Sequence, residues 1–515
     1  MFYYTQISHR IASLTRIKMP SDFIYDDVPY PSFVFPQTSP DRLATLARVH
    51  GIDATDPAKC RMLELGCGDG TNLLALAYSM PKSQFVGIDL AKTHIGSAKK
   101  AASELGLPNV EFIALDVTQA DAVALGEFDY IVAHGLFSWV PEFVRPAIFE
   151  LYAKCLAPNG IGYISYNALP GCYIREITHG MMKFATRKIA DPNEKVAAGI
   201  KFLETIVDAA EDDSVYQTML DLELEQISER TPQNVFHDDL SEVNRPFYFE
   251  EFAGMLAPYG FQYLCEAEPS ELAKIAGLKF PADLGSDVIT REQYRDFVMG
   301  RRFRTTLFCR KDLNVDRTFP IERIRGLSFA GKFETEESES DTSDASMTFV
   351  TSKGHKLTLN HPLTKKCLIK VSDAWPHSMK TADLIAEAEN DDAEITLGYL
   401  VQLYEAGFIK GHCTEITSVT SISEKPEASR FARFQIEQGG NTVATQTGLN
   451  LEIKDPAIGK LLVLTDGTRD IDDLTQAMLE YAAEFDQDEM LGEEEMRESV
   501  LNNLEAFAES GLLVG

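Results

Sequence analysis

Residues 61–70, RMLELGCGDG, constrain the fold of this chain more than any other stretch. Arg61–Leu65 is a short apolar run that reads as a strand. Gly66, Gly68 and Gly70 follow at alternate positions. TNLLALAYSM (71–80) then repeats apolar residues at helical spacing, with Leu73, Leu74, Ala77 and Met80 on one face. A strand, a glycine turn and a helix form the opening unit of a doubly wound α/β sheet, where a ligand's polar groups meet the helix N-terminus. The spacing differs from the dinucleotide pattern G-x-G-x-x-G.

The next fifty residues extend the pattern. FVGIDL (85–90) reads as a second strand ending at Asp89, about 20 residues past the glycines, where a ribose-binding carboxylate belongs. VEFIALDV (110–117) is a third strand ending in Asp116, and FDYIVAHG (128–135) a fourth ending at His134. Polar residues thus gather at the carboxyl edge of the sheet, the edge where open α/β sheets bind ligands. The glycine motif, E-x-G-x-G-x-G, resembles the first motif of class I S-adenosylmethionine (SAM)-dependent methyltransferases.

LAPNGIGYISYN (156–167) supplies a turn at Pro158–Gly160 and a fifth strand. The segment 173–256 is mostly helical in pattern. YGFQYLCEAE (259–268) and FRTTLFCRKD (303–312) have the look of a sixth and a seventh strand, the last antiparallel. The fold class expected is therefore α/β: a Rossmann-like seven-stranded sheet with a helical insertion, plus C-terminal α+β winged-helix-like modules. The chain divides into an N-terminal arm or lid (1–40), a SAM-binding core (41–172), the insertion (173–258), the remaining core strands (259–315), an acidic linker (316–347) and a tandem winged-helix-like region (348–515). A separate domain over 173–312 is the rival division.

The arm, DFIYDDVPYPSFVFPQTSP (22–40), has four prolines and five aromatics, so it is extended rather than helical. Its rings pack on the outside of the sheet or roof the ligand edge; both readings stay open. Ser39–Pro40 reads as the cap of a helix over 41–50. ETEESESDTSD (334–344) has six acids and no bases and reads as a flexible connection. LVQLYEAGFIKG (400–411) and LEAFAESGLLVG (504–515) form a weak repeat, with Gly407/Gly511 and Gly411/Gly515 in register. Each is a helix, a glycine cap and a short strand, and each follows an apolar helix, over 381–389 and 470–482. Neither second helix of these modules is basic, which favours protein contact or homodimer formation over DNA.

Lys plus Arg number 48 against 79 Asp plus Glu, a net charge of −31, so phosphate backbones and anionic membranes are disfavoured partners. The eight cysteines form no C-x-x-C pair, which signals neither zinc nor a disulfide framework and fits a reducing cytoplasm. No apolar run reaches the roughly 18 residues of a membrane span. The first 18 residues make a poor signal peptide, and Met19 is an alternative start.

YDDVPYPSFVFPQTSPDRLATLA, RMLELGCGDGTNLLALA, AHGLFSWVP and YISYNALPG, in that order, resemble bacterial class I methyltransferases with a methyltransferase regulatory domain, among them the rickettsial protein-lysine methyltransferases. The resemblance covers about 22–312. LPGCY (169–173) departs from that family's YPGW pattern. The resemblance implies S-adenosyl-L-methionine as cofactor, with no metal or covalent nucleophile. Gly66, Gly68 and Gly70 let the methionine part approach the backbone, and Glu64 and Asp69 reach its amino end. Asp89 accepts the ribose hydroxyls unless it is a helix N-cap, Leu90 packs on the adenine, Asp116 bonds the adenine amino group and Val117 flanks the ring. His134, Tyr166 and Asn167 are the candidate catalytic residues, with Tyr25, Tyr30 and Trp139 against the acceptor. For His134 and the aromatics, ordinary core packing remains the competing reading. Three functions stay open: a protein-lysine methyltransferase, a small-molecule methyltransferase whose extra modules dimerise, and a non-catalytic SAM-binding protein.

Overall fold

The structure is a computed structural model that describes residues 33–268, 279–281, 284–285, 287–336, 342–352, 354–389, 391–419, 421–484 and 491–515. Tyr25 and Tyr30 lie outside the described residues. The core opens with α1 (Pro40–Val49), β1 (Arg61–Leu65), α2 (Thr71–Ser79), β2 (Gln84–Asp89), α3 (Lys92–Leu105), β3 (Val110–Ala114), the one-turn α4 (Ala122–Leu125), β4 (Phe128–Ala133), α5 (Val144–Cys155) and β5 (Leu156–Asn167). Five helices follow: α6 (Cys172–Thr186), α7 (Pro192–Ala209), α8 (Val215–Ser228), α9 (Pro232–Asp239) and α10 (Phe249–Leu256). β6 (Phe261–Glu266), α11 (Val288–Met299) and β7 (Phe303–Arg310) complete the sheet.

The seven strands run in the order β3-β2-β1-β4-β5-β7-β6. β1 through β5 are parallel, and β7 runs antiparallel to both β5 and β6. The late strands thus enter the sheet as their turn-then-strand patterns predict, with the helices α6–α10 inserted between β5 and β6. Two details differ from expectation. Pro158–Gly160 is no turn: β5 runs unbroken from Leu156, and the pairing with β4 absorbs a register shift between Phe128 and Tyr130 instead. Ser39 gives no side-chain cap to α1, although Pro40 does occupy its first position.

Both faces of the sheet are covered. One carries Met62, Phe85, Tyr130 and Tyr163 toward α1 and α2; the other carries Leu63, Ile131, Ile164 and Tyr166 toward α5 and α10. Strand alternation decides which residue goes where. Burying each such side chain stabilises by about 1.5–3 kcal/mol.

Beyond the sheet come β8 (Ser328–Ala330), β9 (Phe333–Thr335), β10 (Met347–Thr351), β11 (Lys356–Leu359), α12 (Pro362–Asp373), β12 (Met379–Lys380), α13 (Thr381–Leu384), α14 (Asp392–Glu405) and β13 (Lys410–His412). Glu334 and Thr335, the first two residues of the acidic run, lie in β9, which pairs antiparallel with Phe349–Thr351. The helix expected over 381–389 is a single turn, because Leu384 is the only large apolar residue it buries. The last module holds α15 (Arg430–Glu437), β14 (Thr442–Ala444), β15 (Asn450–Glu452), α16 (Pro456–Leu464), α17 (Ile471–Ala483) and α18 (Glu493–Glu509). The repeat glycines Gly407 and Gly511 both take left-handed φ, 71° and 72°, just past α14 and α18.

The C-terminal modules are fastened to the front of the core. The buried Asp41 carboxylate, on α1, accepts hydrogen bonds from the Thr414 backbone (2.9 Å), the Thr414 hydroxyl (2.7 Å) and the Cys413 backbone (3.1 Å), and its other oxygen lies 2.8 Å from His412 Nδ1. Burial alone would raise this carboxyl, but His412 and Thr414 hold it below the ordinary carboxylate range. Among the described residues no helix is long and apolar enough to cross a membrane.

Candidate active site

The glycine turn leaves β1 with Gly66, Gly68 and Gly70 all at positive φ (72°, 55° and 79°). Only glycine adopts these angles without strain. The three differ in what surrounds them. A Cβ on Gly70 would stand 2.5 Å from the Phe112 ring, so this position is required for packing. Among the described residues a Cβ on Gly68 would meet nothing within 4 Å, so this position faces open space at the head of α2.

Asp89 ends β2 and fastens that turn. Its Oδ2 accepts the Gly68 N–H at 2.9 Å and its Oδ1 the Ala91 N–H at 2.8 Å. It is not the N-cap of α3, whose cap residue is Ala91. Leu90 beside it is 40 % exposed. Asp116 follows β3 and caps a 3-10 turn at 117–119 by accepting the Thr118 N–H at 2.9 Å. Val117 is half-buried against the α5 face of the sheet.

Glu64 lies beneath the turn, buried. Its Oε1 accepts from Asn72 Nδ2 at 3.1 Å, and its Oε2 is buried with no partner among the described residues. Burial pushes the carboxyl up to about 8; the Asn72 bond opposes the rise, and the nearby Asp69 and Asp89 carboxylates add to it. Asp69 accepts the Thr71 N–H at 3.1 Å. An orphaned carboxyl oxygen beside two further carboxylates suits a ligand bearing positive charge, such as the ammonium and sulfonium of SAM. The open space at Gly68 and the exposed Leu90 suit its remaining parts.

His134 follows β4 at the same edge. Its Nδ1 is 2.8 Å from the Tyr163 hydroxyl, and its ring lies 4.1 Å from Phe35 of the arm and 6.0 Å from Phe303. Burial lowers it to about 4, so the imidazole is neutral at physiological pH. The Gly135 N–H is taken by Ser165 Oγ at 2.8 Å. Tyr163, Ser165 and Phe303 are the residues that sequence reasoning missed around His134, whereas Phe35 is one of the arm's five aromatics. The signal for the first two was period-two alternation in β5, which puts 163 and 165 on one face and 166 on the other.

The same alternation corrects the placement of Tyr166. It is 1 % exposed, stacked 4.2 Å from Phe252 on the α5–α10 face, with its hydroxyl 3.3 Å from Thr306 Oγ1. It is a core residue. Asn167, 4 % exposed, also turns inward: its Nδ2 donates to Asn244 Oδ1 at 2.7 Å and its carbonyl accepts the Phe247 N–H, bracketing the segment before α10. Trp139 is half-buried in the turn after His134, its N–H bonded to the Leu136 carbonyl.

Residues 56–222 match a methyltransferase domain family, 231–310 a predicted methyltransferase regulatory domain, and 424–512 a PKMT C-terminal winged helix domain. An uncharacterized protein of Rickettsia prowazekii is 37% identical over 309 residues, 58% of this chain and 55% of that protein's own length. A second from the same organism is 38% identical over 237 residues, 46% of this chain and 94% of the relative. Among solved structures, PKMT2 from Rickettsia typhi, in complex with AdoHcy, superposes with a TM-score of 0.82 at 26% identity over 95% of this chain and all of that one (100%). The sheet order, the glycine turn pinned by Asp89 and these likenesses converge, and the chain belongs to the class I SAM-dependent methyltransferases that carry a methyltransferase regulatory domain.

Proposed function

We propose that this chain transfers the methyl group of SAM to lysine side chains of a protein substrate. The observation that carries the reading is the likeness to PKMT2 over 95% of the chain, C-terminal modules included. The match of residues 424–512 to the PKMT winged helix supports it, as does the sequence resemblance to protein-lysine methyltransferases.

SAM supplies a methyl group activated on a sulfonium centre, so the protein's part is position and charge. In this reading Glu64 and Asp69 face the cofactor's ammonium group. Asp89 uses its remaining lone pairs for the ribose hydroxyls, Leu90 and Val117 flank the adenine, and Asp116 takes its amino group. Neutral His134, held by Tyr163, orients the acceptor amine from the other side. A free lysine amine has a pKa of about 10.4 and attacks only when neutral, so it must shed its proton as it enters. A neutral imidazole between Phe35 and Phe303 orients that amine, and the apolar aromatic wall around it disfavours the charged form by desolvation. The insertion α6–α10 is the part that selects the substrate.

The test is incubation of the purified chain with tritiated-methyl SAM and lysate of its own cells. Label on protein bands, mapped to lysine by mass spectrometry, is the expected result. Label confined to small molecules would overturn the protein-substrate reading.

A further inference from the structure

The arm is held over the candidate site by two asparagine side chains, on successive residues and from opposite ends of the sequence. Asn450, the first residue of β15, pairs at two points with the Val34 backbone. The Val34 N–H donates to Asn450 Oδ1 at 2.9 Å, and Asn450 Nδ2 donates to the Val34 carbonyl at 2.8 Å. The next amide, Phe35 N–H, donates to Asn72 Oδ1 at 2.9 Å. Asn72 stands on α2 and also bonds Glu64 and the Thr38 hydroxyl. The Phe35 side chain then reaches His134, ring centroids 4.1 Å apart.

The hairpin β14–β15 is the wing of the last module, and that module is docked on α2. The Arg430 N–H, at the start of α15, donates to the Tyr78 hydroxyl at 3.1 Å, and the Tyr78 and Phe431 rings stack at 6.2 Å. One helix of the methyltransferase core thus carries both the inner anchor of the arm, Asn72, and the seat of the module that brings the outer one. Asn450 itself is exposed, so its two bonds to Val34 are the part of this arrangement that a displaced wing would lose.

We propose that the β14–β15 wing is a latch that sets Phe35 over His134, with Asn450 as a positioning residue of the transfer site. Among the described residues, the wing's hydrogen bonds toward the site are the two between Asn450 and Val34 of the arm. A partner or substrate segment that pulls the last module away from α2 therefore loosens the aromatic wall at His134 without touching the SAM pocket. This inference rests on His134 lying at the acceptor side, and it adds that the C-terminal module sets the geometry there.

The test compares the full chain with Asn450→Ala, Asn450→Asp, Phe35→Ala and the double variant Asn450→Ala/Phe35→Ala. Hydrogen exchange reads the latch directly: in Asn450→Ala the Val34 amide exchanges at least about tenfold faster, while amides of the glycine turn stay within about twofold. Asn450→Asp keeps the acceptor for Val34 N–H and falls between. AdoHcy affinity by calorimetry stays within about twofold in all variants, whereas transfer of tritiated methyl to lysate protein drops about threefold or more in Asn450→Ala. Adding Asn450→Ala to Phe35→Ala causes no further drop, because the latch acts through that ring. Unchanged exchange at Val34, or additive losses in the double variant, would overturn the latch. A wild-type chain that transfers no label overturns the proposed function, and the exchange result still decides the latch.

Discussion

The Asp89 carboxylate and the Gly68 amide are bonded at 2.9 Å, so the second strand fixes the conformation of the glycine turn that leaves the first. A carboxylate oxygen has more than one lone pair, and Asp89 keeps capacity for a ligand while it holds the turn. Asp89→Ala removes both functions. SAM affinity, measured by calorimetry, falls about tenfold or more, as for the loss of charge-assisted hydrogen bonds. Unchanged affinity would place the ribose elsewhere.

Gly68 and Gly70 separate binding from packing. Gly70→Ala puts a methyl group into the Phe112 ring at a left-handed φ and destabilises by about 2–4 kcal/mol in urea unfolding. Gly68→Ala carries only the backbone strain, about 1–2 kcal/mol, and shows itself as weaker SAM binding. Equal losses of stability would mean that Gly68 is as enclosed as Gly70.

His134 predicts an acid-sensitive site. Its folded value of about 4 lies below the ordinary 6.5, so the unfolded chain takes up this proton first as pH falls. Its contribution to stability is full above pH 6.5 and is lost as pH drops from 6.5 toward 4, by roughly 3 kcal/mol in total. Denaturant melts across that window should show His134→Gln losing less stability than wild type. Parallel curves would mean the imidazole is open to water.

Glu64 predicts proton release on binding. Without a ligand its carboxyl, raised to about 8, is mostly protonated at pH 7. A cationic group beside it favours the carboxylate, so AdoHcy binding at pH 7 releases up to about one proton, seen as a buffer-dependent calorimetric enthalpy. Glu64→Gln removes most of that dependence. A wild-type enthalpy that ignores the buffer would leave Glu64 without a ligand contact.

Tyr163 and Tyr166 are three residues apart on β5 and so lie on opposite faces of the sheet. Tyr166→Phe removes only the hydroxyl contact with Thr306, costs about 1 kcal/mol or less, and leaves methyl transfer unchanged. Tyr163→Phe frees His134 Nδ1 and lowers transfer about tenfold or more, with AdoHcy affinity kept. The opposite ranking would restore Tyr166 to the site.

The sheet was legible because its signals are local. The glycine turn, the acid at Asp89 and the apolar runs at 259–268 and 303–312 each declare a strand or turn within about ten residues. The acceptor side was legible only in part. His134 shows as a polar residue ending a strand, but its neighbours come from the arm, from β5 and from β7, and only alternation along β5 separates Tyr163 from Tyr166. Asn450 bears no mark in sequence at all, since its role depends on a contact across 416 residues. The helix expected at 381–389 failed for a related reason: alanine and acid favour helix locally, but one buried leucine supplies too little packing to extend it beyond a turn.

The Asp41 clamp sets the order in which this chain is completed during synthesis. α1 is made early, yet the partners of its buried carboxylate come 371 to 373 residues later. At roughly 5–20 residues per second, on the order of 20–75 seconds pass between them on the ribosome. Through that interval the helix that backs the sheet either stays undocked or buries a charge without its partners, which costs several kcal/mol. The nascent core therefore waits for its C-terminal modules, and a chain cut short before His412 leaves Asp41 with none of these bonds.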